Sequence, residues 1–428
     1  MKEIFIAYLW ENRLFDRTIQ TTDGKTIEVV YPGTRNADAG PDFLNARIRI
    51  DDTLWAGNVE LHVNASDWYN HRHERNVAYD TVVLHVVYNA DKQVYTSTGV
   101  AIPTLEIKDR FDTALLLRYR RFQDSRNWMA CQNVVADVQR FTWLSWLDRM
   151  IVERLEFKVE EVLQLFEQTG NDWEETMYQR LMRNFGLNVN DAPFAHLARK
   201  LTFQLLLKHS GNLFQLEAML FGVAGMLSRE FADDYPLRLK KEYFFLKQKY
   251  NLAELHDSEW RFMRMRPSNF PTIRLSQLAA LIHQNQRMFS RFLHAGTAGD
   301  IKPMFEVTAS SYWDDHYMFD KKVKGTTKRF GRETIDLMLI NSVAQVLFAY
   351  GIHNNQNEPK DKALMLLENI EAENNAIIRK FNELGIGAAN ALQSQAMLHL
   401  RKQYCTSKRC LECRIGQLLI RTEEGYRV

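Results

Sequence analysis

The chain has 428 residues, of which 46% are hydrophobic and 25% are charged. These are values of a folded globular protein, and the length predicts two or three domains rather than one core. A formal net charge of +2 excludes a general electrostatic attraction to nucleic acid or to an anionic membrane. Any such partner must therefore be bound by a local patch.

Neither a secretory signal nor a membrane anchor is expected. Residues 1–6 lack the apolar core of a signal peptide, and the longest apolar candidate, residues 213–227, is interrupted by Gln215 and Glu217. It falls short of the roughly 18–20 apolar residues that a transmembrane helix needs. Three of the four cysteines crowd together near the C-terminus, which is not a secreted disulfide framework. We therefore expect a cytoplasmic protein with no membrane partner.

The first part of the chain alternates between strand and turn signals. A helix is predicted over residues 3–14 from the spacing of its apolar side chains. Strands are predicted over residues 26–31, 43–50, 54–63, 81–88 and 101–107. The fourth strand is almost continuously apolar, which indicates a central position. The order is helix, three strands, an irregular or short helical segment, and two further strands.

From about residue 112 the strand signal ends and helical spacing takes over. Helices are predicted over residues 115–123, 140–168, 173–184, 193–209, 213–229, 237–250, 274–294, 332–350, 358–384 and 387–403. The predicted fold class is α+β, with a small mixed α/β domain over residues 1–111 and a large all-α region over residues 112–428.

Two carboxylates mark the candidate site of the first domain. Asp42 precedes the second predicted strand and Glu60 lies within the third. A turn at residues 51–52 would place both at the same end of a hairpin, where they could share a cation. Carboxylates suit Mg²⁺ or Mn²⁺, which serve phosphodiester chemistry by activating water and neutralising charge. An ordinary turn and an outward-facing glutamate remain the alternative.

The pattern Pro41-Asp42 followed by Glu60-x-His62 resembles the Pro-Asp…(Asp/Glu)-x-Lys signature of restriction-endonuclease-like nucleases. The resemblance covers about the first 110 residues. It implies a nuclease-like fold with Asp42 and Glu60 as metal ligands and Glu11 as the assisting helical acid. His62 stands where that family has lysine, so it would position water or act as a base. The replacement equally fits a descendant that has lost catalysis.

Over its full length the chain resembles the bacterial domain-of-unknown-function family 2851. The residues that carry this resemblance are Asn36, Gly40-Pro41-Asp42-Phe43, Ala46, Trp55-x-Gly57-x-Val59-Glu60-x-His62, Asp67-Trp68, His71-x-His73, Tyr79, Leu84-His85-Val86-Val87, Arg264-Met265-Arg266-Pro267, Asn269-Phe270-Pro271 and the terminal cysteines. This resemblance implies no activity.

Histidines accompany the two carboxylates. His62, His71, His73 and His85 are four of the 12 histidines in the chain. Together with the carboxylates they could form a transition-metal site for Zn, Fe or Mn. His71 and His73 would share a face if their segment were extended. The alternative is that they are loop or core residues, with His62 the strongest candidate because it alternates onto the face of Glu60.

The cysteines form a second candidate metal site. Cys405, Cys410 and Cys413 follow a predicted helix, and Cys131 is the remaining thiol. Four thiolates suit structural Zn²⁺ or a [4Fe–4S] cluster. Some nucleases of the superfamily named above hold an iron–sulfur cluster with one distant and three C-terminal cysteines, and the arrangement here resembles theirs. Four free buried thiols are the alternative.

Basic clusters provide candidate contacts to nucleic acid. They comprise Arg118, Arg120 and Arg121, and Arg264, Arg266 and Arg274. Such residues can follow a phosphate backbone, although basic faces are often only solvated.

The leading hypothesis is a metal-dependent nuclease-like protein acting on nucleic acid. The alternatives are a nucleic-acid or protein-binding module without catalysis and a histidine/carboxylate transition-metal enzyme.

Overall fold

The computed structural model of the protein describes residues 1–422, which divide into two compact units. The first unit contains residues 1–146 together with residues 401–422, and the second contains residues 147–400. The first holds a mixed sheet and the second is mostly helical, which confirms the predicted α+β class. The division differs from the predicted boundary after residue 111, because the helix over residues 113–124 packs against the helix over residues 414–421 within the first unit.

The sheet of the first unit is mixed. Its strands are β1 Ile19–Gln20, β2 Thr26–Tyr31, β3 Thr34–Arg35, β4 Phe43–Ile50, β5 Thr53–Asn64, β6 Val82–Asn89 and β7 Thr104–Glu106. The order across the sheet is β1-β2-β4-β5-β6-β7, with β3 beside β4. Pairing is antiparallel as far as β5, whereas β6 and β7 run parallel to it. The five predicted strands are therefore present, and two short ones accompany them.

Helices occupy most of the rest of residues 1–422. They are α1 Glu3–Glu11, α2 Asp67–Asn70, α3 Thr113–Asp124, α4 Arg140–Gln168, α5 Trp173–Phe185, α6 Asp191–Lys200, α7 Phe203–Leu207, α8 Leu213–Val223, α9 Asp234–Tyr250, α10 Pro271–Gln284, α11 Met288–His294, α12 Ala298–Ile301, α13 Arg332–Met338, α14 Ala344–His353, α15 Asn357–Glu368, α16 Ala376–Glu383, α17 Ala391–His399 and α18 Arg414–Arg421. A small hairpin, β8 His316–Met318 and β9 Lys321–Lys322, lies in the second unit. π-Helical turns occur at Leu339–Val343 and Leu400–Cys405.

The core of the first unit forms between the sheet and the helices that cover it. Helix α1 contributes the fully buried Phe5 and Leu9 and packs against β5. The Phe5 ring stacks on Tyr119 of α3 with centroids 5.3 Å apart. This packing fixes the direction of α1, so that its first turn lies near the carboxylates of the sheet.

One helical stretch is longer and more apolar than the sequence reading anticipated. Residues Arg332–His353 form 22 helical residues with a mean hydropathy of 1.6, enough by length and composition to cross a membrane. Of the apolar window, 72% is buried inside the structure, as in the core helix of a soluble protein. The expectation that no such stretch exists was therefore wrong, although the stretch forms part of the helical core.

Candidate metal centres

The β4–β5 hairpin brings the two predicted carboxylates together. Asp42 immediately precedes β4, and Phe43 pairs with Val59, one residue before Glu60. The backbone N–H of Asp42 donates to Glu60 Oε2 at 3.1 Å, and the N–H of Leu61 donates to Asp42 Oδ2 at 2.9 Å. Each carboxylate thus has one oxygen held by the strand that carries the other. This reciprocal arrangement fixes both side chains before any ligand arrives.

The loop before Asp42 is shaped by its own residues. Gly40 has a φ of +116°, a backbone conformation that favours glycine. The Asn36 side chain donates to the carbonyl of Pro41 at 3.1 Å, and the Asn36 N–H donates to the carbonyl of Asp42 at 2.7 Å. The Gly-Pro-Asp sequence is therefore a turn, as its composition suggests, and that turn carries a carboxylate into the site.

Burial changes the acid–base properties of the pair. Glu60 is 5% exposed, and this burial together with the neighbouring Asp42 raises the pKa of Glu60 to about 9. Burial likewise raises the pKa of Asp42, against the lowering effect of the Leu61 N–H. Two carboxylates held this close in a poorly solvated place favour a proton or a cation between them.

Four histidines surround Glu60 on the same side of the sheet. His85 of β6 pairs directly with Glu60 in the parallel register, and His62 lies two residues along β5. His62 Nδ1 lies 2.8 Å from His85 Nε2, and His62 Nε2 lies 3.0 Å from His71 Nδ1. The ligand nitrogens of His62, His71 and His73 all lie within 4.8 Å of one another. Three imidazoles thus converge beside the carboxylate.

The left-handed backbone conformation of Arg72 makes the histidines converge. His71 follows α2, Arg72 has a φ of +62°, and His73 begins a short 3₁₀ helix. The segment therefore turns instead of running extended. His71 and His73 were expected to share a face only in an extended segment, so their proximity here has a different cause. The His71 and His73 rings lie 4.9 and 5.3 Å from the His62 ring, measured between centroids.

The surrounding aromatic residues support the histidines. Trp68 is fully buried, with its ring centroid 5.3 Å from those of His73 and His85. The Tyr79 ring stacks on His73 at 3.8 Å. Both aromatic residues are therefore packed into the core beneath the site, whereas Trp55 is 48% exposed.

His62 lies in the site without the geometry of a free general base. Both of its ring nitrogens face other imidazoles, and it is 1% exposed. Burial and the neighbouring His85 lower the pKa of His62 to about 2, and burial lowers that of His85 to about 3. Neutral imidazoles keep a lone pair for a metal ion, so His62 is placed to act as a ligand or as the support of one.

The helical acid at the site is Glu3, which the sequence reading missed. Glu3 lies in the first turn of α1, and its pKa is raised by partial burial and then by Asp42. The predicted residue, Glu11, ends the same helix eight residues later, about 12 Å along its axis at the usual helical rise. The assignment of Glu11 is corrected accordingly, because the packing of α1 brings its N-terminal turn to the carboxylates.

The four cysteines converge elsewhere in the first unit. Cys131, Cys405, Cys410 and Cys413 are free thiols that line a cavity of about 20 Å³. Burial raises the pKa of all four, to about 12 for Cys410 and about 11 for Cys413, and the thiols of the other cysteines raise that of Cys131 further.

Two backbone features lie beside Cys410 and Cys413 in the cysteine cavity. Cys413 is the N-cap residue of α18, and the nearby backbone N–H groups of Gly416 and Ile415 lower the pKa of its thiol, against the larger effect of burial. A Cβ at Gly416 would lie 2.2 Å from the carbonyl oxygen of Cys410, so a glycine is required there. N–H groups beside a buried sulfur favour its thiolate, which is the form that binds a metal ion.

The arginines that were predicted to contact nucleic acid differ in their exposure. Arg118 is 8% exposed, and its Nη1 donates to the carbonyl of Ile420 at 2.8 Å. It fastens α18 to α3, so its assignment to a nucleic-acid surface was wrong. Arg120, Arg121 and Arg264 are exposed. Arg266 and the buried Arg274 line a cavity of about 780 Å³ in the second unit.

Comparison with known proteins identifies the family of the chain but gives no information about an activity. No curated protein and no solved structure matches the chain. Residues 3–376 match the family described as a protein of unknown function, DUF2851. The match contains Asp42, Glu60, the four histidines and Cys131, whereas the three C-terminal cysteines follow it. Because the match spans most of the sequence, the chain belongs to the DUF2851 family.

Proposed function

We propose that the first unit is a metal-dependent hydrolase of phosphodiester bonds in nucleic acid, with Asp42 and Glu60 at its centre. The observation that carries the proposal is the reciprocal hold between these carboxylates, each bound by a backbone N–H of the other strand. A rigid pair of carboxylates, one buried and one half-buried, is suited to fixing a divalent ion. The ion would neutralise charge growing on the phosphate and activate water.

The order of the elements supports the same proposal. Helix α1 is followed by the antiparallel strands β2, β4 and β5, then by a connection containing α2, then by β6 parallel to β5. This is the order implied by the Pro-Asp…(Asp/Glu)-x-Lys resemblance, with Asp42 and Glu60 on its second and third core strands. Glu3 supplies the helical acid in place of Glu11.

The donor set favours Mn²⁺ over Mg²⁺ at this centre. Imidazole nitrogen suits first-row transition metals, while Mg²⁺ prefers oxygen ligands almost exclusively. His73 Nε2 lies 3.2 Å from Glu60 Oε1, and His62 Nε2 lies 3.8 Å from the same oxygen. These side chains would hold the ion together with Asp42. The exposed Arg120 and Arg121 of α3 supply candidate contacts to a phosphate backbone.

A cleavage assay tests the proposal. Single-stranded and double-stranded DNA and RNA are incubated with the protein and Mn²⁺, Mg²⁺ or Zn²⁺. We expect Mn²⁺-dependent cleavage that is lost in Asp42→Asn and Glu60→Gln. The matched control is Glu28→Gln, because Glu28 lies on β2 of the same sheet and pairs with the exposed Arg49. Cleavage that survives in Glu60→Gln would reject the proposal.

A second candidate is a histidine-centred transition-metal hydrolase with another substrate. The convergence of three imidazole nitrogens within 4.8 Å favours it. It predicts tightly bound zinc or iron and hydrolysis of a substrate other than nucleic acid. Binding of nucleic acid without turnover under any metal would instead indicate a module that has lost catalysis.

For the cysteine cavity we propose a [4Fe–4S] cluster. The four cysteines line one cavity, and four thiolates are the ligand set of a cubane cluster as well as of a single zinc ion. The pattern of one distant and three C-terminal cysteines, which resembles that of the iron–sulfur nucleases, favours the cluster. Free thiols also fit a reducing compartment, so we infer that the protein works in the cytoplasm.

The proposed cluster is tested by elemental analysis and a visible spectrum of protein purified without oxygen. About four irons per chain and a brown colour are expected for a cubane cluster. One zinc and no visible absorption would contradict the cluster.

A further inference from the structure

The cavity of about 780 Å³ in the second unit, which we name the basic cavity, has an unusual charge balance. Eight Lys or Arg residues and three Asp or Glu residues line it, an excess of five positive charges. The whole chain carries a formal net charge of only +2. Positive charge is therefore concentrated in a concave site, where walls of low dielectric strengthen its attraction for anions.

At the wall of the basic cavity, Arg274 is a buried cation whose hydrogen-bond partners are all neutral. Arg274 is 3% exposed. Its guanidinium donates to the Gln277 side chain at 2.9 Å, to Asn269 at 2.6 Å and to Thr334 at 3.1 Å. Within residues 1–422 its Nε has no hydrogen-bond partner, and it forms no ion pair with a carboxylate.

This arrangement leaves the buried charge of Arg274 without an acidic partner among residues 1–422. A buried charge is expensive unless an opposite charge is nearby. Burial alone lowers the pKa of Arg274 to about 10, with no acidic group to offset it. An anion bound in the cavity would supply the counter-charge.

A second cation of the wall, Arg180, is held by two neutral groups and by a carboxylate that it shares with a lysine. Arg180 is 8% exposed and hydrogen-bonds to the side chain of Gln345 and to the carbonyl of Asn341. Its acidic neighbour, Glu161, lies 3.5 Å away and also pairs with Lys158. Asn341 belongs to the π-helical turn Leu339–Val343, a feature frequently found at functional sites. The carboxylates of the wall therefore neutralise its cations only in part, since eight cationic residues face three acidic ones.

We propose that the basic cavity binds a ligand through a run of two or more linked phosphate groups. Arginine forks match phosphate oxygens, and several forks around one cavity suit consecutive phosphates. The volume lies within the range of small-molecule sites, large enough for a nucleotide. Among the described residues that line the cavity none is aromatic, so the site recognises phosphates without stacking a base. Free nucleotides and the backbone of a single strand share this chemistry.

Titration calorimetry on the full-length protein tests the proposal. The probes are sodium tripolyphosphate, ATP, GTP and a 5′-phosphorylated oligothymidine. We expect tripolyphosphate, ATP and GTP to bind with similar affinities, since the base is not read. Arg266→Gln should weaken tripolyphosphate binding about tenfold, because each hydrogen bond to a charged group is worth roughly 1.5–3 kcal/mol.

Arg264→Gln is the matched control. Arg264 is exposed and lies two residues from Arg266, but it does not line the basic cavity. Its replacement should change affinity less than twofold. Arg274→Gln tests the buried cation directly, and the exposed Arg266 keeps the test decisive should that variant fold poorly.

The probes also separate the two sources of phosphate. Binding of tripolyphosphate and ATP without the oligonucleotide assigns the cavity to free nucleotides. Binding of the oligonucleotide alone assigns it to nucleic acid. The proposal is overturned if no probe binds at millimolar concentration, or if Arg264→Gln loses as much affinity as Arg266→Gln.

Discussion

His73 Nε2 lies 3.2 Å from Glu60 Oε1, yet the two atoms are not aligned as a hydrogen-bond donor and acceptor. Within the described residues His73 Nε2 has no hydrogen-bond partner. Two ligands of one ion, each bonded at about 2.0–2.2 Å, lie roughly this far apart and point at the ion instead of each other. The contact between His73 and Glu60 therefore suits two ligands of the metal ion proposed for this site.

The first prediction follows from this contact. Replacing His73 by Ala removes one ligand, and we expect the affinity for Mn²⁺ or Zn²⁺ to fall about 100-fold, at the upper end of what altered metal surroundings cost. Calorimetry of the metal-free protein measures it. His256→Ala is the control, because His256 is exposed and lies in the second unit. Equal affinities of the His73 variant and the parent protein would contradict the shared site.

Metal binding should release a proton from Glu60. The pKa of Glu60 is raised to about 9, so the metal-free carboxyl is protonated at neutral pH, while an ion requires the carboxylate. The metal affinity should therefore rise as the pH increases towards about 9, and level off above it. The steepest expected slope is about tenfold per pH unit.

Calorimetry in buffers of different ionisation enthalpy counts this proton. We expect about one proton per metal ion near pH 7 in the parent protein, and clearly less than one in Glu60→Gln, which has no proton to lose there. A parent protein that releases none would show that Glu60 stays protonated or does not bind the ion.

A methyl group at Gly416 should disrupt the cysteine centre. The Cβ of Gly416→Ala would lie 2.2 Å from the carbonyl oxygen of Cys410, so the turn must shift. We expect a loss of about 1–3 kcal/mol in the free energy of unfolding, with a lower metal content. Thermal unfolding and elemental analysis measure both. Gly211→Ala is the control, since its Cβ would meet no atom within 4 Å; equal behaviour of the two variants would contradict the steric argument.

Substitutions of Arg118 and of Arg120 should have different effects, the first on the stability of the protein and the second on its binding to nucleic acid. Arg118→Gln removes the donor to the Ile420 carbonyl, and a buried acceptor left without its partner costs about 1–3 kcal/mol in the free energy of unfolding. Arg120→Gln changes an exposed side chain and should leave stability within about 0.5 kcal/mol. Only Arg120→Gln should weaken binding to single-stranded nucleic acid by a direct effect. Denaturant unfolding and fluorescence anisotropy distinguish them, and the reverse pattern would contradict these roles.

The sequence by itself determined the local geometry of the candidate site. Alternation within the strands and the turn at Asp51-Asp52 placed Asp42 and Glu60 at one end of a hairpin, where the β4–β5 register has them. A strand of side-chain period two fixes which residues share a face, so His62 was found with Glu60. The convergence of the cysteines followed from composition, since Cys131 is the only thiol outside the C-terminal group.

Only the tertiary structure decided which distant groups complete these sites. The direction in which α1 packs selects Glu3 over Glu11, and the left-handed Arg72 turns His71 and His73 towards His62. Burial removed Arg118 from the surface and placed Arg274 in the wall of the basic cavity. Periodicity reports which face of an element is apolar but not which neighbour covers it. Contacts between residues far apart in the chain depend on packing, which the local pattern does not encode.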